Sequence, residues 1–165
     1  MDSDRHAKLV ENLALLVTRV VEAQGLELVE LSLKGSSRKR VLRVDIDREG
    51  PGGVGLEDCQ AVSRLIGNAI DESELIPGSY VLEVSSPGID RQIRTDDDIR
   101  RNTGRRVQVE TSGPVEGRRS FAGLLVGGAP EWLELKEDDD TVLRIPRDRI
   151  HMARQAASFT ASGRV

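Results

Sequence analysis

The chain has 165 residues, a formal net charge of −4 and 32% charged residues, which allows one ordinary domain or two small ones. Its 2% aromatic content (Tyr80, Phe121, Trp132 and Phe159) excludes a broad base-stacking platform, which needs two or three aromatics on one sheet face. Residues 1–94 hold 12 Lys/Arg against 16 Asp/Glu and residues 95–165 hold 12 of each, so neither half is a basic domain and any nucleic-acid contact must come from local arginine clusters.

Leu9, Val10, Leu13, Leu16, Val17, Val20 and Val21 recur at helical spacing, with Ser3 or Asp4 as cap and Gly25 as the left-handed residue past the end. Leu26 to Leu33 reads as a strand whose alternation slips at Val29, the mark of a bulge. Gly35 to Arg40 is a polar turn. A second strand then sets Leu42, Val44 and Ile46 on one face and Arg43, Asp45 and Asp47 on the other, a hairpin with one face in water. The glycine-rich segment from Arg48 to Gly55 leads to a second helix with Cys59, Val62, Ile66 and Ile70 as its inward stripe, ending near Ser73. Pro77-Gly78 is a turn and Tyr80 to Ser85 a third strand. The order α-β-β-α-β predicts a small sheet with both helices on one face.

After Pro87-Gly88 the pattern changes. Thr95-Asp96-Asp97-Asp98 predicts a short helix, with Thr95 as cap and acids in the first turn, stopped at Asn102-Thr103-Gly104. Short strands follow at Val107–Thr111, Ser120–Val126, Trp132–Leu135, Val142–Ile145 and Ile150–Ala153. The turns between them are read at Ser112-Gly113-Pro114, Gly127 to Pro130 and Glu137 to Asp140. Five short strands in about fifty residues suggest a small barrel. The fold expected is therefore α+β, with an N-terminal domain over 1–91, a C-terminal β-barrel with its linker helix over 92–155, and a disordered tail over 156–165.

Chemical motifs are few. Gly50-Pro51-Gly52-Gly53-Val54-Gly55 fits G-x-G-x-x-G, yet it follows a half-polar hairpin strand rather than a buried parallel one, so it reads as a flexible crossover. Its Gly50-x-x-Gly53 joins strand to helix, unlike the helix-to-helix clamp of a KH domain. Asp45 and Asp47 face the same way and could serve a hard cation, although no third ligand is apparent. His6 and His151 have no partner at zinc spacing, and Ser85-Ser86 lies in no nucleophile elbow. Two basic groups stand out: Lys34, Arg38, Lys39, Arg40 and Arg43 on the first hairpin, and Arg100, Arg101, Arg105 and Arg106 around the short helix. Each is either a solubilising surface or a set of phosphate contacts. The acidic run Glu137 to Asp140 reads as a solvated loop. Lone Cys59 suits a reducing cytoplasm, the acidic start argues against a signal peptide, and no apolar run approaches about 20 residues, so no membrane span is expected.

The junction Val81 to Arg91 is the most informative segment. Ser86 is biased to extended geometry by Pro87, and Pro87-Gly88 suits the centre of a type II turn. Leu82-Glu83-Val84-Ser85-Ser86-Pro87-Gly88-Ile89-Asp90-Arg91 closely resembles the signature of the RimP ribosome maturation factor family. Similar stretches are Leu42 to Asp47, Gly53-Val54, Cys59 to Arg64, Ile145-Pro146 with Ile150, and Ala153-Arg154, spanning most of residues 4–154. Two positions depart from the family pattern: Gln92, where proline is frequent, loosens the connector, and Gly55 stands where a Thr or Ser cap is usual.

The resemblance implies a non-catalytic, cofactor-free cytoplasmic factor that binds the immature small (30S) ribosomal subunit and assists its assembly. Its C-terminal part would be an SH3-like or Sm-like barrel. Its partners would be ribosomal RNA and the decoding-centre small-subunit protein, with no membrane and no small-molecule substrate, and the factor would be a monomer. The partner-binding residues expected are Ser85, Ser86, Asp90 and Arg91 at the corner, and Arg100, Arg101, Arg105 and Arg106 toward RNA phosphate. The rival readings are a general Sm-like RNA-binding module and a small metal-dependent enzyme using Asp45 and Asp47.

Overall fold

A computed structural model describes residues 1–88 and 91–156. The chain divides into two compact units, one formed by Met1–Arg48 with Gly53–Pro87, the other by Glu49–Gly52 with the residues from Gly88 onward. The sequence-predicted tail lies outside the described residues except for Ala156.

In the first unit α1 (Asp2–Ala23) buries Leu13, Val17 and Val21. No side chain caps its start, so Ser3 and Asp4 lie within the helix rather than before it; Asp2 and Asp4 in the first turn still favour the positive end of the helix dipole. Its other end follows the expectation closely. Gly25, at φ 73°, donates to the Glu22 carbonyl, and Leu26 N–H donates to that of Val21. This is the paired bonding of a Schellman stop, with Leu26 and Val21 both in the core.

Strand β1 (Glu27–Ser36) pairs antiparallel with β2 (Lys39–Asp47), and the register shifts between Leu28 and Glu30, placing the bulge at Val29 as its pattern implied. Helix α2 (Leu56–Ser73) then crosses to β3 (Tyr80–Ser85), which lies parallel to β2, giving a mixed sheet in the order β1-β2-β3. Both helices pack against each other and share one apolar core with the sheet, so they occupy one face. At Gly55 the missing side-chain cap is made good from inside the helix: the Asp58 carboxylate accepts the Gly55 N–H at 3.0 Å. That bond leads the causes that hold the Asp58 carboxyl below its usual value, with Arg48 assisting against slight burial.

The second unit opens with α3 (Asp96–Asn102), followed by β4 (Arg106–Val115), β5 (Arg118–Gly128), β6 (Trp132–Lys136), β7 (Val142–Pro146), a 3-10 turn at Arg147–Arg149, and β8 (Ile150–Gln155). The strands form an antiparallel sheet in the order β7-β6-β5-β4-β8 around Val107, Val109, Leu125, Leu135 and Ile145. Among the described residues the recorded pairings end at β7 and β8, and none of them joins these two strands. The first turn is relocated. Ser112-Gly113-Pro114 lies inside an irregular β4, and the chain reverses at Glu116-Gly117, with φ 48° and 77°. Positive φ at both central residues is the two-residue turn whose twist matches that of paired strands.

Among the described residues no helix is long and apolar enough to cross a membrane.

The glycines give a graded prediction. Gly25 has open space around it, so Gly25→Ala bears only the left-handed backbone penalty, about 1–2 kcal/mol. Gly35, at φ 98°, would drive an added Cβ into the Lys39 carbonyl oxygen. Urea denaturation is expected to show Gly35→Ala as clearly the more damaging of the two.

Candidate functional site: two carboxylate centres and the arginines around them

In the first unit the centre is Asp45. Sequence alternation set Asp45 and Asp47 on a solvated strand face, but they are only 8% and 4% exposed. The register explains the first of these. Asp45 on β2 stands between Glu30 on β1 and Ser85 on β3. Ser85 Oγ donates to Asp45 Oδ1 at 2.9 Å, and Arg43 Nε approaches the same oxygen at 3.4 Å. Asp47 Oδ1 accepts the Arg48 backbone N–H at 2.8 Å. A buried carboxylate without such donors would be costly, and these bonds are what allow it. The two carboxylates thus serve the sheet's own hydrogen bonding, and no group of three or more His, Cys, Asp or Glu able to hold a metal occurs among the described residues.

In the second unit the centre is Asp98, 2% exposed. Thr95 and Asp98 form the capping box that the sequence indicated: Asp98 N–H donates to Thr95 Oγ1, and Thr95 N–H donates to Asp98 Oδ2 at 3.0 Å. The same Oδ2 also accepts the Arg94 N–H at 3.1 Å. Oδ1 receives two guanidinium groups, Arg101 Nη2 at 2.8 Å and Arg91 Nε at 3.0 Å. Four donors therefore converge on one carboxylate. Burial alone would raise its pKa, but the Thr95 and Arg94 N–H groups and the Arg91 guanidinium outweigh it and lower the carboxyl to about 2.

The connector is stitched to the same unit. Gln92 bridges Arg154 on β8, Ile93 N–H donates to the Ala153 carbonyl at 2.7 Å, and Gln92 Oε1 accepts Arg94 Nη2 at 2.7 Å. Gln92, expected to loosen this stretch, helps tie it down. The glycine-rich loop is likewise engaged rather than a free crossover. Arg105 Nε donates to the Gly50 carbonyl at 2.8 Å, and Arg100 Nη1 meets Glu49 at 3.1 Å.

The eight residues expected to bind a partner thus fall into different settings. Ser85 is locked to Asp45, Ser86 is exposed, and Asp90 lies outside the described residues. Arg91 and Arg101 grip Asp98, and Arg101 and Arg105 are only 6% and 7% exposed. Arg100 and Arg106 keep solvent-facing side chains but already hold acids, Glu49 and Asp97 for Arg100 and Asp138 for Arg106. The acidic loop read as merely solvated supplies that last partner, and its Glu137 pairs with Arg118 at 2.7 Å. The sequence indicated the place of Asp98 in the capping box but not its contacts with Arg91 and Arg101. Of the aromatic residues, Trp132 has Arg144 over its ring at 4.5 Å.

In both units the buried charged groups, Asp45 in the first and Asp98 and Arg101 in the second, are held in internal hydrogen bonds and ion pairs. Residues 16–90 match the family model of the RimP N-terminal domain.

Two outcomes follow from Asp98. Its carboxyl titrates at about 2 in the folded protein against an ordinary 3.8, so its contribution to stability is full above about pH 4 and is lost as pH falls toward 2. The difference amounts to about 2 kcal/mol. The stability gap between the native protein and Asp98→Asn, measured by denaturant titration at stepped pH, should therefore narrow across that window. Arg91→Ala removes one of four donors and is expected to lower the melting temperature of the second unit, and Arg101→Ala, which removes the more buried guanidinium, to lower it further. An unchanged melting temperature with Arg91→Ala would return Arg91 to the role of a free contact residue.

Proposed function

We propose that the protein is a cytoplasmic ribosome maturation factor that binds the immature small (30S) subunit and assists its assembly without catalysis or cofactor. The observation that carries the proposal is the family match over residues 16–90, which includes the signature from Leu82 to Asp90. Its partners are ribosomal RNA and the decoding-centre small-subunit protein, and it acts as a monomer. The two units serve as its domains, the second as an SH3-like module. In this reading Ser86, Asp90, Arg100 and Arg106 take part in partner contact. Ser85, Arg91 and Arg101 act through the Asp45 and Asp98 centres and Arg105 through the Gly50 carbonyl, holding the backbone beside those contacts in one shape.

The rival Sm-like reading has less support, because Arg144 lies over one face of the Trp132 ring and the buried Arg101 and Arg105 are engaged by Asp98 and the Gly50 carbonyl. The metal-enzyme reading loses its two carboxylates to Ser85, Arg43 and Arg48.

Sucrose-gradient sedimentation of a cell extract tests the proposal. The protein should co-migrate with free small subunits at low salt and leave them as salt rises, since phosphate neutralisation releases counterions. Recovery solely in the unbound fractions at low salt would sink it.

A further inference from the structure

Apart from Arg43, the basic cluster of the first hairpin is not used by either carboxylate centre. Between Leu31 and Val44 there is no Asp or Glu, while Lys34, Arg38, Lys39, Arg40 and Arg43 all fall there. Arg43 is drawn toward Asp45. Lys34, Arg38 and Lys39 are exposed, and neither they nor Arg40 make an ion pair or side-chain hydrogen bond among the described residues. Arg40 Nη1 is even shut off from solvent without an acceptor. In a chain of net charge −4, this tip groups three exposed cations that have no acidic partner among the described residues.

Its geometry says how that charge is presented. Ser36 pairs with Lys39 across a two-residue turn of Ser37 and Arg38, and Lys34 pairs with Val41 in the next row facing away from the buried Leu33–Leu42 row. The tip thus projects flexible cations together with the hydroxyls of Ser36 and Ser37. It carries no aromatic residue and no large apolar anchor of the kind that centres a protein–protein interface. Donors without anchors or stacking faces fit phosphate oxygens, which position a protein on nucleic acid without reading sequence.

We infer that the β1–β2 hairpin tip, through Lys34, Arg38 and Lys39, is a sequence-independent docking surface for the phosphate backbone of structured RNA. The inference rests on the maturation reading for its RNA-rich partner and adds the element that meets it.

The test uses the full chain carrying Lys34→Glu, Arg38→Glu and Lys39→Glu together. All three side chains are exposed, and Arg40, whose Nη1 is buried, is left in place. Binding to purified small subunits, to an RNA duplex of about twenty base pairs, and to a polyglutamate peptide is titrated across a salt series, with the melting temperature as folding control. The expected result is duplex and subunit binding at least about tenfold weaker at low salt, with the log–log salt slope shallower by roughly 0.9 for each phosphate contact removed. Unchanged duplex affinity and slope would overturn the inference. Loss confined to the polyglutamate peptide would overturn it in favour of an acidic protein partner. An unsubstituted protein that binds the duplex but not subunits would count against the maturation reading alone. If the triple variant melts early, the single Lys34→Glu and Lys39→Glu variants carry the same comparison, each with a slope change of one contact.

Discussion

A carboxylate buried to 2% exposure survives as an anion only if its oxygens are filled with donors, and Asp98 is filled by four. The start of α3 and the Arg91 side chain take their positions from that constraint. Thr95 and Arg94 lend backbone N–H groups, which sets where α3 begins. Arg101 reaches back one turn, and Arg91 is held from the connector side. Removing the acid would leave Arg101 buried and uncompensated, a situation that generally costs more than the pair contributes. The Asp45–Ser85 bond is a smaller version in the first unit, linking β2 to the end of β3 through side chains as well as through the ladder.

This constraint separates two kinds of arginine that look alike in a sequence. Arg91, Arg101 and Arg105 are structural cations, committed to Asp98 or to the Gly50 carbonyl. Lys34, Arg38 and Lys39 are exposed and have no ion-pair or side-chain hydrogen-bond partner among the described residues. A charge already neutralised at short range offers little to an incoming phosphate, because binding would have to break the existing pair. Uncommitted charge has no such obstacle and is screened only by salt. The division of labour that results places shape in the signature corner and in α3, and attraction in the hairpin.

Much of the fold was legible because local signals agreed with the tertiary outcome. The apolar stripe of α1, Gly25 at its stop, the slip at Val29 and the Thr95–Asp98 box each rest on interactions spanning a few residues, or on a period that burial reproduces. The candidate site was less legible, since its decisive partners are far apart in sequence. Period-two alternation assigns Asp45 to water and cannot register that Ser85, forty residues on, will stand beside it. Composition likewise marks Arg101 and Arg105 as surface cations, because nothing local reveals the acid or carbonyl each will reach. The turn at Glu116-Gly117 was overlooked because Ser112-Gly113-Pro114 carries stronger turn chemistry, yet β4 absorbs it as an irregularity in its pairing. The glycine-rich loop misled for the same reason: glycine permits many conformations, and the one adopted is chosen by Arg100 and Arg105.

The central claim is that Asp98 is an anion stabilised by converging donors and that the signature arginine serves it. Carbon-detected NMR of the Asp98 side-chain carboxyl, followed through an acid titration of the intact protein, tests this most directly. The account predicts a midpoint near 2 that moves upward when Arg91 is replaced by alanine. A midpoint at the ordinary aspartate value of about 3.9, indifferent to Arg91, would contradict it.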